Sequence, residues 1–173
     1  MVRYADDFVV LCHSEEEARR ALEKIQGFTR TNGLTLHPEK TRIVDASQRG
    51  GFDFLGYHFE RGMKWPRKKS MAKLKENIRE KTRRTEGRNL QAICADLNRT
   101  LRGWFEYFKH SKSNTFAGLD AYVRGRLRSI LRKRQRGKGR GRGRDHHRWP
   151  NAYFHAQGLL SLSQSHRAAL QSP

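Results

Sequence analysis

The sequence predicts an α+β fold in which a mixed lobe is followed by a helical and strongly basic lobe. Short β-prone runs around a single helical pattern fill the first 60 residues, and the apolar period becomes helical after Pro66. Residues 1–60 hold 8 basic and 10 acidic side chains, whereas residues 61–144 hold 27 and 6. We therefore expect the second lobe to bind phosphate and the first lobe to have a mainly structural role.

Composition narrows the class of protein. A formal charge of +20 in 173 residues predicts a polyanionic partner, with nucleic acid the first candidate. No stretch approaches the roughly 18 apolar residues of a membrane span, and Asp6 and Asp7 interrupt the position of a signal peptide. We expect no membrane partner and a cytoplasmic, bacterial location. Cys12 and Cys94 are the only cysteines, far apart and without a CxxC partner, so neither a disulfide framework nor a zinc finger is indicated and both are expected to be buried thiols.

The first lobe begins with two β-prone runs, Val2–Tyr4 and Phe8–Cys12, which predict a hairpin with an acidic pair near its turn. Ser14 predicts the cap of a helix whose apolar residues keep helical spacing to Phe28, and Asn32-Gly33 ends it.

Three further extended segments complete the predicted lobe. Leu34 and Leu36 alternate in one short piece, and Ile43-Val44 indicates another. An aromatic-rich hairpin over residues 52–59 is expected to turn near Gly56.

The second lobe predicts three amphipathic helices in a small bundle. The first is expected from a Ser70 cap to Gly87, the second from an Asn89 cap through Phe108, and the third after Asn114. The Gly/Arg run that follows predicts a flexible cationic linker, and the apolar residues of the last segment predict a tail that docks on the bundle.

One short motif points to catalysis. Tyr4-Ala5-Asp6-Asp7 places two carboxylates at a tight strand connection. With its apolar flanks the motif resembles the catalytic hairpin of reverse transcriptases. The physical logic agrees with this resemblance, because nucleotidyl transfer with two Mg²⁺ ions needs clustered carboxylates on a rigid element. Alone the motif is weak, because aspartate is favoured in turns for local reasons.

The order of the later motifs strengthens the interpretation. The blocks in question are residues 4–7, 33–41, 52–57, 101–108 and 149–154. Together they resemble, in collinear order over nearly the whole chain, the group II intron reverse transcriptases with their maturase, or thumb, domain. The resemblance implies a truncated polymerase palm of β-hairpins plus a helix, then a three-helix thumb bundle and a short docked tail. The implied boundaries are 1–65 for the palm, 66–136 for the thumb, 137–145 for the linker and 146–173 for the tail.

The resemblance also implies roles for individual residues. Asp6 would be a direct metal ligand and Asp7 a weaker one, while Lys40 would act on the leaving pyrophosphate. Tyr4 and Ala5 would line the floor beneath the nucleotide. Phe54, Leu55 and Gly56 would support the primer. A surface lysine after a proline turn and a plain hydrophobic hairpin explain Lys40 and the primer residues about equally well.

A second set of residues is expected to contact RNA phosphates, because acidic partners are scarce around them. These residues are Lys68, Lys69, Lys73, Arg79, Arg83, Arg84, Arg140, Arg142 and Arg144. Trp104 and Phe105 are assigned to the core, since both lie on the apolar stripe of the second helix. His146-His147 lacks the cysteine pairs of an appended nuclease domain.

The sequence departs from the family in one respect. The family's third aspartate comes from an earlier palm strand, and the sequence begins after that position, as it does after the fingers. We therefore expect Mg²⁺ binding only when a missing palm segment completes the site, and no processive polymerisation by the chain alone. An uncovered palm edge favours a complementing N-terminal polymerase fragment or self-association.

Three functions remain open from the sequence. The first is the C-terminal part of an RNA-directed DNA polymerase and maturase that binds intron RNA and a DNA primer or target. The second is an RNA-binding module that assists splicing without catalysis. The third is an unrelated basic RNA-binding protein, which explains the charge but not the ordered blocks.

Overall fold

The structure, a computed structural model, describes residues 1–171 and divides at Met63 and Lys64 into two compact units. Two small antiparallel sheets and seven helices form the described chain, which confirms the α+β class. Residues 172 and 173 of the predicted tail lie outside the described residues. No helix in the described range combines the length and the apolar character that crossing a membrane requires.

The first sheet is the hairpin that the sequence predicts. Strand β1 (Val2–Tyr4) pairs with β2 (Asp7–Val9), and Tyr4 lies opposite Asp7. The second strand ends at Val9, earlier than the predicted Cys12. Ala5 and Asp6 form the two-residue connection, and Ala5 has a φ of 49°, which is uncommon for a residue other than glycine.

Helix α1 (Glu15–Thr31) also follows the prediction. The Ser14 side chain accepts a hydrogen bond from the Glu17 backbone N–H at 3.2 Å, and Asn32 caps the other end. None of its residues is buried, and Phe28 on its apolar face is 65% exposed. The helix therefore forms from its cap and spacing, while its apolar face is only partly covered.

The predicted extended pieces near Leu34 and Ile43 are wrong. Residues 34–44 contain turns but no strand, and both side chains are exposed. A strand needs a neighbour to receive its backbone hydrogen bonds, and no described strand pairs with this segment.

The second sheet contains the aromatic hairpin and one strand that the sequence analysis missed. Strand β3 (Phe52–Phe54) pairs with β4 (Tyr57–Glu60), and β5 (Met63–Pro66) follows in the order β3-β4-β5. Leu55 and Gly56 both have positive φ, 46° and 79°, which is the requirement of a tight hairpin turn and confirms the turn near Gly56.

Three long helices carry the second unit: α2 (Lys68–Lys81), α3 (Leu90–Phe108) and α4 (Asn114–Arg134). The predicted ends of α2 are wrong. The helix begins two residues before Ser70 and ends at Lys81 instead of Gly87. Thr82 terminates it, because its hydroxyl donates to the Ile78 carbonyl at 2.5 Å and its backbone leaves helical geometry.

Helix α3 provides the central apolar stripe of this unit. Asn89 caps it, accepting a hydrogen bond from the Ala92 N–H at 2.7 Å, as predicted. Its buried residues recur at helical spacing: Leu90, Ile93, Cys94, Leu97, Leu101, Phe105 and Phe108. All of them except Phe108 join Leu74 and Ile78 of α2 and the buried apolar residues of α4 in one core cluster. Phe105 is buried as expected, and Trp104 is half-buried.

The last segment folds as three short helices, α5 (Gly143–Arg148), α6 (Asn151–Ala156) and α7 (Leu162–Gln171). Its apolar residues enter the same core: Trp149, Phe154, Leu159 and Leu162. The predicted flexible run is ordered at its end, because Asp145 is buried and forms an ion pair with Arg132 at 2.8 Å.

Buried polar groups fix this segment to the long helices. The Asp120 carboxylate on α4 accepts hydrogen bonds from Ser161 Oγ (2.9 Å), Leu162 N–H (2.9 Å) and Ser163 N–H (3.1 Å). It thereby satisfies the first backbone donors of α7, which no intrahelical acceptor can reach. Asn98 on α3 also connects this segment to a long helix, because its Nδ2 donates to the Gly158 carbonyl at 2.7 Å.

Replacing Asp120 should destabilise the second unit. Asp120→Ala leaves buried donors at the start of α7 without an acceptor, so we expect a loss of about 3 kcal/mol in the free energy of unfolding. Urea denaturation followed by circular dichroism measures it. Glu106→Ala, which removes an exposed carboxylate paired with Lys109 on the same helix, is the control and should leave the midpoint nearly unchanged. Equal midpoints for the two variants would contradict the capping role.

Candidate nucleic-acid interface and acidic hairpin

The β1–β2 hairpin places Asp6 in its turn and Asp7 at the start of β2. Both aspartates are exposed. Arg3 Nε donates to the Ala5 carbonyl at 2.9 Å across the same turn. The turn therefore presents two neighbouring carboxylates to solvent, where a hydrated cation can reach them.

These carboxylates offer only part of a magnesium site. Carboxylate oxygens are the ligands that Mg²⁺ prefers, and it takes six oxygens in octahedral geometry. Within residues 1–171, no group of three or more histidine, cysteine, aspartate or glutamate side chains is arranged to hold a metal. Asp45 and Asp53 supply no third ligand, since Asp45 bonds Ser47 and Asp53 lies 2.7 Å from His58 Nδ1.

The other predicted polymerase residues lie at two turns. Lys40 follows Pro38, and its backbone N–H donates to the His37 carbonyl at 3.2 Å. Its side chain forms no hydrogen bond or ion pair with either aspartate in the described chain. Phe54, Leu55 and Gly56 occupy the end of the β3–β4 hairpin. The structure thus places Lys40 at one tight turn and Phe54, Leu55 and Gly56 at another.

The predicted phosphate-binding cations are all exposed. Lys68, Lys69 and Lys73 lie in the first two turns of α2, and none forms an ion pair in the part of the chain that is described. Arg79 lies in its last turn, with Arg83 and Arg84 directly after it. These side chains leave an unneutralised basic surface along α2, which suits contact with a polyanion.

Two carboxylates of the second unit pair with basic side chains outside the predicted set. Asp96 contacts Lys81 (2.6 Å), Arg99 (3.1 Å) and Arg88 (3.4 Å), and Glu86 contacts Arg88. The hydrogen bond from Lys81 lowers the pKa of Asp96 to about 2. Asp96 and Glu86 thus pair with other basic side chains, and the members of the predicted RNA-binding set form no ion pair within residues 1–171.

Sequence reasoning missed Arg126, which lies on α4 close to several predicted cations. Arg126 Nε donates to Thr82 Oγ1 at 3.0 Å, and its Nη2 donates to the Thr82 carbonyl at 2.6 Å. Burial lowers the pKa of its guanidinium, and the charges of Arg84, Arg79 and Arg140 lower it further. The only signal in the sequence is an arginine directly before Leu127 of the apolar stripe, which also fits a solvated position.

Two family models match the chain over most of its length. The model described as reverse transcriptase (RNA-dependent DNA polymerase) matches residues 1–59, and the model described as group II intron, maturase-specific domain, matches residues 71–149. The chain belongs to the group II intron reverse transcriptase/maturase family. No curated protein sequence matches it significantly.

Membership of this family accounts for the two contrasting units. The reverse transcriptase match covers the nearly neutral first unit with the acidic hairpin, and the maturase match covers the basic helices. Reverse transcriptases generally use Mg²⁺, and group II maturase domains imply an interaction with intron RNA. The family assignment thus agrees with the charge division read from the residues.

The ion pairs of Asp96 predict a loss of stability in acid. Because its pKa is depressed in the folded state, the contribution is complete above the unfolded pKa near 3.8 and is lost as the pH falls towards 2. The melting temperature of the wild-type chain should fall over this window. Asp96→Asn should have a lower melting temperature at pH 6 and a shallower fall in acid. The same acid dependence in both proteins would show that Asp96 is not responsible.

Proposed function

We propose that this protein binds intron RNA through its basic helical unit and contributes Asp6 and Asp7 to RNA-directed DNA synthesis. The observation that carries the proposal is the combination of an exposed double-aspartate turn with a helical unit in which the exposed cations Lys68, Lys69 and Lys73 form no ion pair within residues 1–171. The matches to reverse transcriptase and maturase models support both halves.

In the proposed reaction, the 3′-hydroxyl of a primer attacks the α-phosphate of a bound deoxynucleotide. A new phosphorus–oxygen bond forms, and the bond to pyrophosphate breaks. Asp6 and Asp7 would hold Mg²⁺, which when bound offsets the negative charge of the reacting phosphates. Lys40 would neutralise or protonate the departing pyrophosphate. Tyr4 and Ala5 would lie beneath the nucleotide, and Phe54, Leu55 and Gly56 would support the primer.

We further propose that the chain does not polymerise by itself. Two carboxylates supply too few ligands to hold the catalytic ions firmly, and the described residues offer no three-ligand group. The remaining ligands would come from a complementing polymerase fragment, and either that fragment or a second copy would cover the exposed palm edge. Exposed apolar side chains in the first unit support such a partner, among them Leu11, Phe28 and Leu34, each more than half exposed.

The proposed domain boundaries follow from the same argument. Residues 1–65 would act as the palm portion and residues 66–136 as the thumb, with α2, α3 and α4 as its three-helix bundle. Residues 137–145 would connect this bundle to the tail that begins at residue 146. The burial of Trp149 and Phe154 in the helical core supports a tail that functions with the thumb.

A second candidate is an RNA-folding module without catalysis. This candidate is favoured by a difference in burial: the helical unit has a packed core, whereas the acidic hairpin is exposed. Under this alternative, Asp6 and Asp7 would be dispensable for the function, whereas the cations of α2 would not.

RNA affinity should depend steeply on salt and on α2. Each phosphate contact releases condensed counterions, so the logarithm of the binding constant should fall linearly with the logarithm of salt concentration, by about 0.7 per contact on single strands. The variant Lys68→Gln/Lys69→Gln/Lys73→Gln should reduce this slope by about 2. Fluorescence anisotropy with labelled RNA measures it.

The matched control removes three cations from α1, as Arg19→Gln/Arg20→Gln/Lys24→Gln. It carries the same change in net charge and should keep nearly the wild-type slope. If the salt dependence fell equally in the two variants, RNA binding would depend only on the overall net charge. An affinity independent of salt would contradict RNA binding by the helical unit.

Catalysis should appear only on complementation. Adding a separately produced polymerase fragment that carries the third aspartate and the fingers should restore primer extension that requires Mg²⁺. Asp6→Asn should abolish the restored activity, while RNA affinity of the variant should match the wild type. Extension that is unaffected by Asp6→Asn, or absent under every complementing condition, would favour the module without catalysis.

A further inference from the structure

Four arginines from the α2 and α4 regions of the helical unit come close together. Arg79 lies in the last turn of α2, Arg84 follows that helix, Arg126 lies in the middle of α4, and Arg140 follows α4. Arg126 Nη2 lies 2.6 Å from the Thr82 carbonyl and 3.4 Å from the Arg79 carbonyl, two residues before Arg84 and at Arg79 itself. The segment that carries Arg140 folds back on α4, because Arg132 Nε donates to the Lys138 carbonyl at 2.8 Å. In agreement with this placement, the charges of Arg84, Arg79 and Arg140 add to the effect of burial in lowering the pKa of Arg126. Packing of α2 against α4 therefore concentrates positive charge at one place.

No carboxylate neutralises this arginine cluster (Arg79, Arg84, Arg126 and Arg140). In residues 1–171, none of its members forms an ion pair, although Lys81, Arg88, Arg99 and Arg132 nearby all do. Like charges repel one another, and a low-dielectric neighbourhood strengthens that repulsion. The arrangement is therefore expected to gain stability from a bound anion.

Helix capping explains only part of the cluster. Cations are favoured at a helix C-terminus, and Arg126 donates to the Thr82 carbonyl and, at 3.4 Å, to the Arg79 carbonyl. Those bonds use its Nε and Nη2 and leave Nη1 available. Arg79 uses Nε for Tyr122 Oη at 3.2 Å. Arg84 and Arg140 are exposed and donate to no carbonyl among the described residues, so capping does not account for their position.

We propose that Arg79, Arg84, Arg126 and Arg140 form one shared binding site for a backbone phosphate of RNA. Guanidinium groups donate two parallel hydrogen bonds to phosphate oxygens, which makes arginine suited to this ligand. Arg126, held by Thr82, is the fixed member, and Arg84 and Arg140 close on the phosphate from the exposed side. The inference rests on the proposed RNA-binding function and adds a single site at the α2–α4 contact.

The test uses the full chain and a labelled oligouridylate of about 20 nucleotides, followed by fluorescence anisotropy at several salt concentrations. Arg84→Gln and Arg140→Gln remove exposed members while keeping the Arg126 cap intact. Each should weaken binding about tenfold at low salt. Because both serve one phosphate, the double variant should weaken it by clearly less than the product of the single effects. The control Arg19→Gln/Arg20→Gln removes two paired arginines of α1 and should change affinity less than twofold.

A second measurement is independent of RNA. Inorganic phosphate should raise the melting temperature of the wild-type chain relative to sodium chloride of equal ionic strength, and the double variant should lose this rise. The shared site would be overturned if the double variant lost affinity by the full product of the two single effects, or by no more than the control. Either result would leave RNA binding by the unit intact. A wild-type affinity that does not respond to salt would instead remove the proposed function, and the site with it.

Discussion

Burial of the apolar stripe of α3 is the interaction on which the second unit depends. Ile93, Leu97 and Leu101 are fully or almost fully buried, and they contribute to one core together with α2, α4 and the last segment. Removal of this apolar surface from water supplies the main favourable free energy for a unit with so much surface charge. The same packing brings the end of α2 to the middle of α4, which positions Arg126 and its neighbours.

Charge is organised around that core in two ways. Asp96 and Asp145 each neutralise basic side chains and connect segments of the unit, whereas Lys68, Lys69 and Lys73 of α2 and the arginine cluster form no ion pair within residues 1–171. Self-repulsion among unpaired cations opposes folding, and a bound polyanion relieves it. A protein with this balance is expected to gain stability from its nucleic-acid ligand, so that binding and folding are linked.

The first unit depends more on local interactions than on a buried core. Its helix and hairpins arise from local signals, namely the Ser14 cap, the tight turns and the stacked Phe52 and Phe59 rings, whose centroids are 5.2 Å apart. Helix α1 buries none of its side chains, and the two aspartates remain open to solvent. The first unit thus has its local secondary structure while part of its apolar surface stays exposed, as is expected of a surface that binds a partner.

Residue patterns alone determined the α+β class, both hairpin turns, the Ser14 and Asn89 caps and the family, because caps, turn residues and helical periodicity act within a few neighbours along the chain. They did not yield β5, the early end of α2 at Thr82 or the docking of Asp120 on α7. Each of these depends on a partner distant in sequence. Arg126 illustrates the same limit: its place beside Arg84 and Arg140 follows only from the packing of α2 on α4, since nothing in its local sequence separates a buried cap from a solvated arginine.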